Sequence, residues 1–393
     1  MVKKRILTAA VSFIFVLLLT VPTIAALVFG ESGSDVLVEK RELTPFPKNF
    51  SNTYMADVEY WYDDHVPFRI SLITFQKQLS QKTAAFYRHS ILPLLSEAFS
   101  PDWSSEENDY LAPAEDGLVI YGRGDWLFFL GDYSLDYYTG SNLLSEEELE
   151  CRANVFLELQ EKCSEKGIEF AVLIAPNKER LYSEFMPSYS IASQIRREDR
   201  LLDFMQSRNI NYLFPLCQMQ EAKSICTLYD LQDTHWNTVG AYIGYFELME
   251  SVGLPCVPVE ELEIAQGTRQ GGDLSYMCGY STEYTDYSAV YRPEVSFTHE
   301  ISDDGGIETF ASSAGNGRKA LLIGDSFRER IKDFFAKDFS ETTVAYMGYR
   351  DDERVARAVN SLSEGDLLVI LAVERYDNDA LDDAVSLLNC LNN

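Results

Sequence analysis

The chain has 393 residues, of which 46% are hydrophobic and 24% charged, as is typical of a globular protein with a substantial core. Its 62 acidic and 33 basic residues give a formal net charge of −29. This charge repels nucleic-acid phosphates, so we expect no nucleic-acid binding, whereas a glycan remains a compatible partner.

The N-terminus begins with a basic flank, Lys3-Lys4-Arg5, which precedes a mostly apolar run over 6–29. This pattern is typical of an export signal and predicts that the remainder lies outside the cytoplasm. The run is long enough to span a bilayer. Small residues near its end, Ala25-Ala26 and Gly30, would also suit a signal peptidase. Residues 1–30 are therefore assigned as a signal peptide or membrane anchor, and the pattern favours an anchor.

Residues 31–110 are predicted to form an N-terminal helical extension or stalk. Aromatic and aliphatic side chains recur there at roughly helical spacing, and Pro67 is expected to interrupt the helix. An acidic stretch at 100–116 marks the boundary to a second domain, 111–393. Within that domain we expect an insertion or lid at about 255–317, a span rich in Gly, Ser and Tyr, whose Gly271-Gly272-Asp273 segment would edge a pocket.

The second domain alternates predicted strands and helices. Short apolar runs bounded by Gly or polar residues predict buried strands, and apolar residues at helical spacing predict the helices between them. Successive strand and helix units predict an α/β fold with a doubly wound parallel sheet. The predicted elements are a hairpin of 118–121 and 126–130, strands at 170–176, 210–216, 320–323, 342–347 and 366–373, and helices at 145–166, 198–208, 238–254, 328–339 and 379–391.

Ser326 lies where the strand at 320–323 gives way to the helix predicted at 328–339, and Gly324 is expected to permit a tight turn there. The first N–H groups of a helix have no internal partners, and its dipole is positive at that end. An oxyanion forming beside Ser326 would therefore meet hydrogen-bond donors. The position suits a nucleophile. The alternative is that Asp325 or Ser326 is simply a helix N-cap.

A serine nucleophile needs a base and a group that orients the base, and this chain has only four histidines. Asp233 stands two positions before His235 and can project to the same side to accept its Nδ1–H. We therefore predict a triad of Ser326, His235 and Asp233, with His65 as a weaker alternative base. No third ligand with zinc-like spacing accompanies the Asp-His pair, so we predict no metal site.

Several sequence blocks resemble one family. Gly324-Asp325-Ser326-Phe327, together with the Asp-x-His-Trp block at 233–236, resembles the SGNH-hydrolase-like proteins of the alginate O-acetyltransferase group, also called DHHW proteins. The resemblance implies an SGNH-hydrolase-like sheet in a circularly permuted order, with the His block ahead of the Ser block, and it implies that 111–393 is the catalytic domain. Further matching blocks stand in order at 39–43, 62–69, 124–128, 174–178, 272–274 and 373–375.

Strand ends supply the remaining candidate site residues. The resemblance implies oxyanion donors at Ser326, Gly348 and Arg375, although typical SGNH hydrolases carry Asn where this chain has Glu374-Arg375. Asn177 and Lys178 follow a predicted strand, where ligands collect in open α/β sheets. With Trp236 they are the substrate-binding candidates, and the alternative for the first two is a helix cap and a surface cation.

The resemblance implies an extracytoplasmic O-acetyltransferase, membrane-anchored or secreted, that acts on a cell-surface or exported polysaccharide without a cofactor of its own. Acetyl-CoA is cytoplasmic, so a membrane-bound O-acyltransferase is the expected partner that supplies acetyl groups. The alternatives are a carbohydrate acetyl esterase with the same triad and a non-catalytic glycan-binding or assembly subunit. Export also permits disulfides, and Cys217 and Cys226 are close enough in sequence to close a small loop.

Overall fold

The computed structural model describes residues 115–392. The predictions for the apolar N-terminal run, the helical extension and His65 lie outside these residues. By its contacts the chain divides into one unit of 1–107 with 275–280, of which only 275–280 is described, and a second unit of 108–274 with 281–393. Within 115–392, no helix is both long and apolar enough to cross a membrane.

The described residues form strands and helices in alternation. In chain order they are β1 Glu115–Asp116, β2 Val119–Tyr121, β3 Leu127–Phe129, α1 Ser134–Thr139, α2 Glu146–Glu165, β4 Glu169–Ala175, α3 Lys178–Leu181, α4 Arg197–Gln206, β5 Tyr212–Leu213, α5 Leu216–Ala222, α6 Thr238–Ser251, β6 Glu263–Gln270, α7 Asp273–Cys278, β7 Glu283–Val290, β8 Phe297–Ile301, β9 Ile307–Ser312, β10 Lys319–Gly324, α8 Lys332–Asp338, β11 Glu341–Tyr346, α9 Glu353–Asn360, β12 Leu367–Val373 and α10 Asp377–Asn392.

The core is a seven-stranded sheet in the order β5-β4-β12-β10-β11-β9-β8. The five strands from β5 to β11 run parallel, and β9 and β8 complete the sheet as antiparallel strands. This confirms the predicted α/β fold with a mostly parallel sheet. The predicted insertion at 255–317 contains both an antiparallel ribbon of β6 and β7 outside this sheet and the two strands β8 and β9 within it.

The central strands are buried on both faces. Every residue of β12 is buried, as are six of the seven residues of β4 and five of the six residues of β10. Continuous apolar runs are what a parallel sheet covered on both faces requires, which is why these strands were recognisable from sequence. Helix α2 begins as predicted, with Ser145 and Glu148 forming a capping box.

The segment after β10 differs from its prediction. Ser326 opens a 3₁₀ turn, Ser326–Arg330, and α8 follows only from Lys332 to Asp338, so no long α-helix starts at the serine. The cause is Asp325, whose two carboxylate oxygens accept the N–H groups of Phe327 at 2.8 Å and Val373 at 2.7 Å. Asp325 therefore caps the turn and ties it to the end of β12.

Gly324 is required by close packing rather than by turn conformation, since its φ is not positive. A Cβ at this position would lie 2.3 Å from the carbonyl oxygen of Leu371 on β12. We expect Gly324→Ala to lower the free energy of unfolding by about 2 kcal/mol, because β10 and β12 must separate. Urea denaturation measures this. Gly267→Ala on β6, where a Cβ meets nothing within 4 Å, is the control, and an equal loss in both variants would contradict the packing account.

Candidate active site

Three adjacent parallel strands end at the same edge of the sheet, and a 3₁₀ turn follows each of them. Gly324 at the end of β10 lies opposite Tyr346 of β11 and Leu371 of β12. The carboxyl edge of an open α/β sheet is where ligands bind in this class of fold. The turns are Ser326–Arg330, Met347–Tyr349 and Glu374–Tyr376, so all three predicted oxyanion residues lie at this edge.

The structure brings Ser326, His235 and Asp233 together in one hydrogen-bonded chain. Nε2 of His235 lies 2.7 Å from Oγ of Ser326, although 91 positions separate them in sequence. Nδ1 of the same ring lies 2.6 Å from Oδ1 of Asp233. A carboxylate at Nδ1 leaves the Nε2 lone pair facing the hydroxyl, which is the arrangement that a general base for a serine nucleophile needs.

Trp236 holds the His segment against the Ser turn. Its indole N–H donates to the carbonyl oxygen of Phe327 at 3.0 Å, and the two rings pack with centroids 5.4 Å apart. Gly240 and Gly244 on α6 leave room for Trp236, since a Cβ at either position would lie 3.1 to 3.2 Å from its side chain. Trp236 is fully buried, so its placement supports a positioning role and gives no support to the predicted contact with substrate.

Lys178 is buried rather than a surface cation, and that alternative is wrong. Its Nζ lies within hydrogen-bond distance of four main-chain carbonyl oxygens, those of Leu127, Asp230 and Leu231 at 2.7 Å and that of Asp233 at 3.0 Å. Burial lowers the pKa of Lys178 to about 8, although nearby carboxylates favour its charged form. The lysine thus binds the loop before His235 to the β2–β3 hairpin, and its placement gives no support to the predicted contact with substrate.

Asn177 is also buried, and its contacts are with protein. Its main-chain N–H donates to Glu374 at 2.9 Å, and its Oδ1 accepts from Arg375 at 3.2 Å. It precedes α3 at the N-cap position, but its side chain makes no capping hydrogen bond there. These contacts hold the Glu374–Tyr376 turn, while the buried Nδ2 of Asn177 has no partner among residues 115–392.

The predicted oxyanion donors differ in their surroundings. The N–H of Ser326 has no acceptor among residues 115–392, and Gly348 is exposed. The guanidinium of Arg375 is mostly buried and lies over the ring of Phe327, 5.7 Å from its centroid. Arg375 therefore borders the turn that carries Ser326, with one hydrogen bond to Asn177 and a buried Nε that has no partner.

Asp233 is surrounded by donors besides the histidine. Its Oδ2 accepts from Arg269 of β6 at 3.3 Å and from the main-chain N–H of Asp273 at 3.2 Å. Burial acts to raise the pKa of Asp233, but the hydrogen bond and charge of His235, together with Arg269, outweigh it and hold that pKa below its usual range. Asp233 is therefore ionised at neutral pH and can stabilise an imidazolium.

Arg269 connects this carboxylate to a second buried one, Asp230. Its Nη1 donates to Oδ2 of Asp230 at 2.7 Å, and Arg330 from the Ser turn reaches the same oxygen at 3.2 Å. Burial raises the pKa of Asp230 to about 7, against the effect of the two guanidinium groups. Arg269 thereby links the β6–β7 ribbon, the His loop and the Ser turn.

We expect Arg269→Gln to lower kcat about tenfold with KM unchanged, because one charge-assisted hydrogen bond to Asp233 is worth ~1.5 kcal/mol. Arg269→Lys should fall between this variant and the parent. Steady-state hydrolysis of a small acetyl ester measures the effect. Thr268→Ala, an exposed neighbour on β6, is the control and should stay within about twofold. An unchanged kcat in Arg269→Gln would show that Arg269 does not support Asp233 in catalysis.

A second carboxylate, that of Asp273, lies close to the same imidazole. Its Oδ2 is 3.6 Å from Nδ1 of His235 and accepts Thr234 Oγ1–H at 2.6 Å, while its Oδ1 accepts Thr234 N–H at 2.8 Å. Asp233, His235 and Asp273 together have the composition of a metal site. Because Nδ1 already bonds to Asp233 and Asp273 already accepts from Thr234, we interpret the cluster as a hydrogen-bonded network. The absence of a metal stays a prediction.

Sequence reasoning missed Arg269, Thr234 and Asp230. It did propose that Gly271-Gly272-Asp273 edges the pocket, and this segment does lie against the His loop. A Cβ on Gly272 would lie 2.5 Å from the carbonyl oxygen of Gln232 and 2.6 Å from Cβ of Asp233. The paired glycines were the available signal for this approach. No local sequence pattern indicated a role for Arg269, because its hydrogen-bond partners are 36 and 39 positions away.

The mostly parallel sheet and the Ser, His and Asp residues at its carboxyl edge define an α/β protein of the SGNH-hydrolase-like class. Residues 119–344, more than half of the chain, match the family described as "SGNH hydrolase-like domain, acetyltransferase AlgX", and the chain belongs to this family. The resemblance seen in the sequence is thereby confirmed. No curated protein matches the chain.

The chain resembles several solved structures at low sequence identity. A DHHW family protein from Eubacterium siraeum superposes with a TM-score of 0.50 at 15% identity, covering 71% of this chain and 97% of that one. PatB1 of Bacillus cereus gives a TM-score of 0.48 at 14% identity, covering 68% and 96%. The O-acetyltransferase domain of Pseudomonas putida AlgJ gives 0.42 at 17% identity, covering 69% and 98%.

Proposed function

We propose that this protein is an extracytoplasmic O-acetyltransferase that acetylates a cell-surface or exported polysaccharide through Ser326. Membership of the acetyltransferase AlgX family supports acyl transfer as the reaction class. The observation that carries the assignment to these residues is the continuous hydrogen-bonded chain from Ser326 through His235 to Asp233. A nucleophile, a base and a group that orients the base are together what acyl transfer through serine requires.

In the first half-reaction, Nε2 of His235 accepts the proton of Ser326 as Oγ attacks the acetyl carbonyl of the donor. The N–H of Ser326 would stabilise the tetrahedral oxyanion, with Gly348 and Arg375 as further donors. The imidazolium is stabilised by ionised Asp233 and returns its proton to the leaving group. The product is an acetyl ester on Oγ of Ser326.

In the second half-reaction, a sugar hydroxyl attacks the acetyl-enzyme. His235 accepts the hydroxyl proton, and after the tetrahedral intermediate collapses it returns that proton to Oγ of Ser326. The acetyl group leaves on the sugar, and the enzyme is restored. If water attacks instead of sugar, the same site acts as an esterase, so transfer and hydrolysis differ only in which hydroxyl reaches the intermediate.

The acetyl donor must be available outside the cytoplasm. The basic flank and apolar run at the N-terminus support export, and an exported enzyme has no direct access to cytoplasmic acetyl-CoA. A membrane-bound O-acyltransferase that passes acetyl groups outwards would supply the donor. The membrane, if the apolar run anchors the chain there, would keep the two proteins close together.

The test is to give the full-length protein p-nitrophenyl acetate with and without oligosaccharide acceptors, and to analyse the products by mass spectrometry. Transfer predicts acetylated oligosaccharide that increases with acceptor concentration and is absent with Ser326→Ala. Release of acetate alone at every acceptor concentration would favour the esterase. Neither product, together with intact glycan binding, would favour a non-catalytic glycan-binding subunit.

A further inference from the structure

A cleft of about 380 Å³ lies beside the loop that leads to the catalytic residues, and the proposed mechanism does not use it. Its volume falls within the roughly 300–1,000 Å³ typical of small-molecule sites. Trp126 and Phe185 line it, as do Thr285 and Tyr287 of β7. Leu231, two positions before Asp233, also lines it.

The cleft has an aromatic wall. The rings of Trp126 and Phe185 stack with centroids 4.9 Å apart and planes 15° from parallel. Phe185 and Tyr287 are half-buried, so part of each ring remains accessible. Aromatic faces carry partial negative charge and attract polarised C–H groups, which a pyranose ring presents on its faces.

Two polar groups of the cleft lack partners among the residues that the structure describes. Trp126 is only 4% exposed, yet its indole N–H has no acceptor among the described residues. The indole nitrogen is also not one of the described polar atoms that are fully shielded from solvent. A buried tryptophan N–H normally has an acceptor, and a ligand oxygen could supply the one that this donor lacks. The hydroxyl of Tyr287 likewise has no partner among residues 115–392.

The charges in the cleft balance each other. Lys223 Nζ lies 2.6 Å from Glu184 Oε1 and also donates to the carbonyl oxygen of Leu181 at 2.7 Å. The only cation and the only anion among the lining residues are therefore paired, and the chain as a whole is strongly acidic. These surroundings suit an uncharged polar ligand better than an anionic one.

We propose that this cleft is a subsite for a neutral pyranosyl residue of the acceptor polysaccharide. The proposal rests on the proposed function, which supplies the polysaccharide. The aromatic wall packs against the sugar ring, and the unpartnered N–H and hydroxyl groups bind its hydroxyls. Thr227 and Leu231 line the cleft, and Leu231 stands two positions before Asp233 and four before His235, so the cleft borders the segment that carries the proposed base.

The test measures binding by calorimetry on the full-length protein without acetyl donor, using hexamers of β-1,4-linked glucose and N-acetylglucosamine. Thr285→Trp should fill the cleft and raise Kd at least tenfold for whichever neutral hexamer binds the parent, and Tyr287→Phe should raise it about threefold. Ser288→Trp is the matched control, because Ser288 is exposed on the opposite face of the same strand and should leave Kd within twofold.

Hydrolysis of p-nitrophenyl acetate should stay within twofold in Thr285→Trp, because this small ester does not need the cleft. Three results would overturn the proposal: neither neutral hexamer binds, Thr285→Trp binds as tightly as the parent, or only a polymannuronate hexamer binds. A different result separates the two proposals: the parent binds a neutral hexamer, Thr285→Trp blocks that binding, and no acetyl transfer occurs. This result would reject the enzyme assignment while the glycan subsite stands.

Discussion

Ser326→Ala is expected to lower kcat for acetyl transfer by about 10⁴-fold or more, because the variant lacks the hydroxyl that we propose as the nucleophile. Ser326 is half-buried, and the one hydrogen bond of its Oγ among the described residues is with Nε2 of His235, so the free energy of unfolding should change little. Acetylation of oligosaccharide followed by mass spectrometry measures kcat, and thermal unfolding confirms that the variant is folded.

Ser288→Ala, an exposed serine of the ribbon, is the matched control and should stay within about twofold of the parent. A Ser326→Ala variant that is folded and still transfers acetyl groups at more than a tenth of the parent rate would exclude Ser326 as the nucleophile. The family would still describe the fold, but the chemistry would have to be assigned elsewhere.

Asp233→Asn is expected to lower kcat by about 10³- to 10⁴-fold with little change in KM. An amide can donate to Nδ1 of His235, which would place the ring proton on Nε2. That nitrogen could then no longer accept the proton of Ser326, although it lies within 2.7 Å of the hydroxyl. Steady-state kinetics with a small acetyl ester measures both parameters.

Asp273→Asn is the informative comparison, because its carboxylate is 3.6 Å from Nδ1 and bonds instead to Thr234. We expect at most about a tenfold loss there. A larger loss of kcat in Asp273→Asn than in Asp233→Asn would indicate that Asp273, and not Asp233, orients His235. Loss of activity in a chelator, with recovery on adding Zn²⁺, would instead identify the three-residue cluster as a metal site.

The residues whose roles follow from short-range patterns were predictable from sequence. Asp233 and His235 stand two positions apart, and Ser326 follows an apolar strand, so local spacing and residue chemistry pointed to both. The strands β4, β10 and β12 were recognisable because a sheet buried on both faces needs uninterrupted apolar runs. Pairing the two site segments across 91 positions still required the choice of one histidine among four.

The features that the sequence did not predict depend on contacts distant in sequence. From sequence alone, Lys178 could be a surface cation or a ligand-binding residue. Only the four carbonyl oxygens around its Nζ show that it connects the loop before His235 to β3. The turn at Ser326 is set by the bond from Val373 N–H to Asp325, 48 positions away. Arg269 belongs to a ribbon with exposed, polar strands, whose pattern does not distinguish a lid from a wall of the site.

The most direct test of the central claim is whether the acetyl group is carried on Ser326. The full-length protein is mixed with p-nitrophenyl acetate, quenched in acid during turnover, and analysed by intact mass and peptide mapping. We expect the mass of one acetyl group on the peptide containing Ser326, lost when an acceptor sugar is added before quenching and absent in His235→Ala. Acetyl transfer without this adduct would contradict the claim that Ser326 carries the acetyl group. An adduct on another residue that loses its acetyl group to the acceptor would contradict the claim as well.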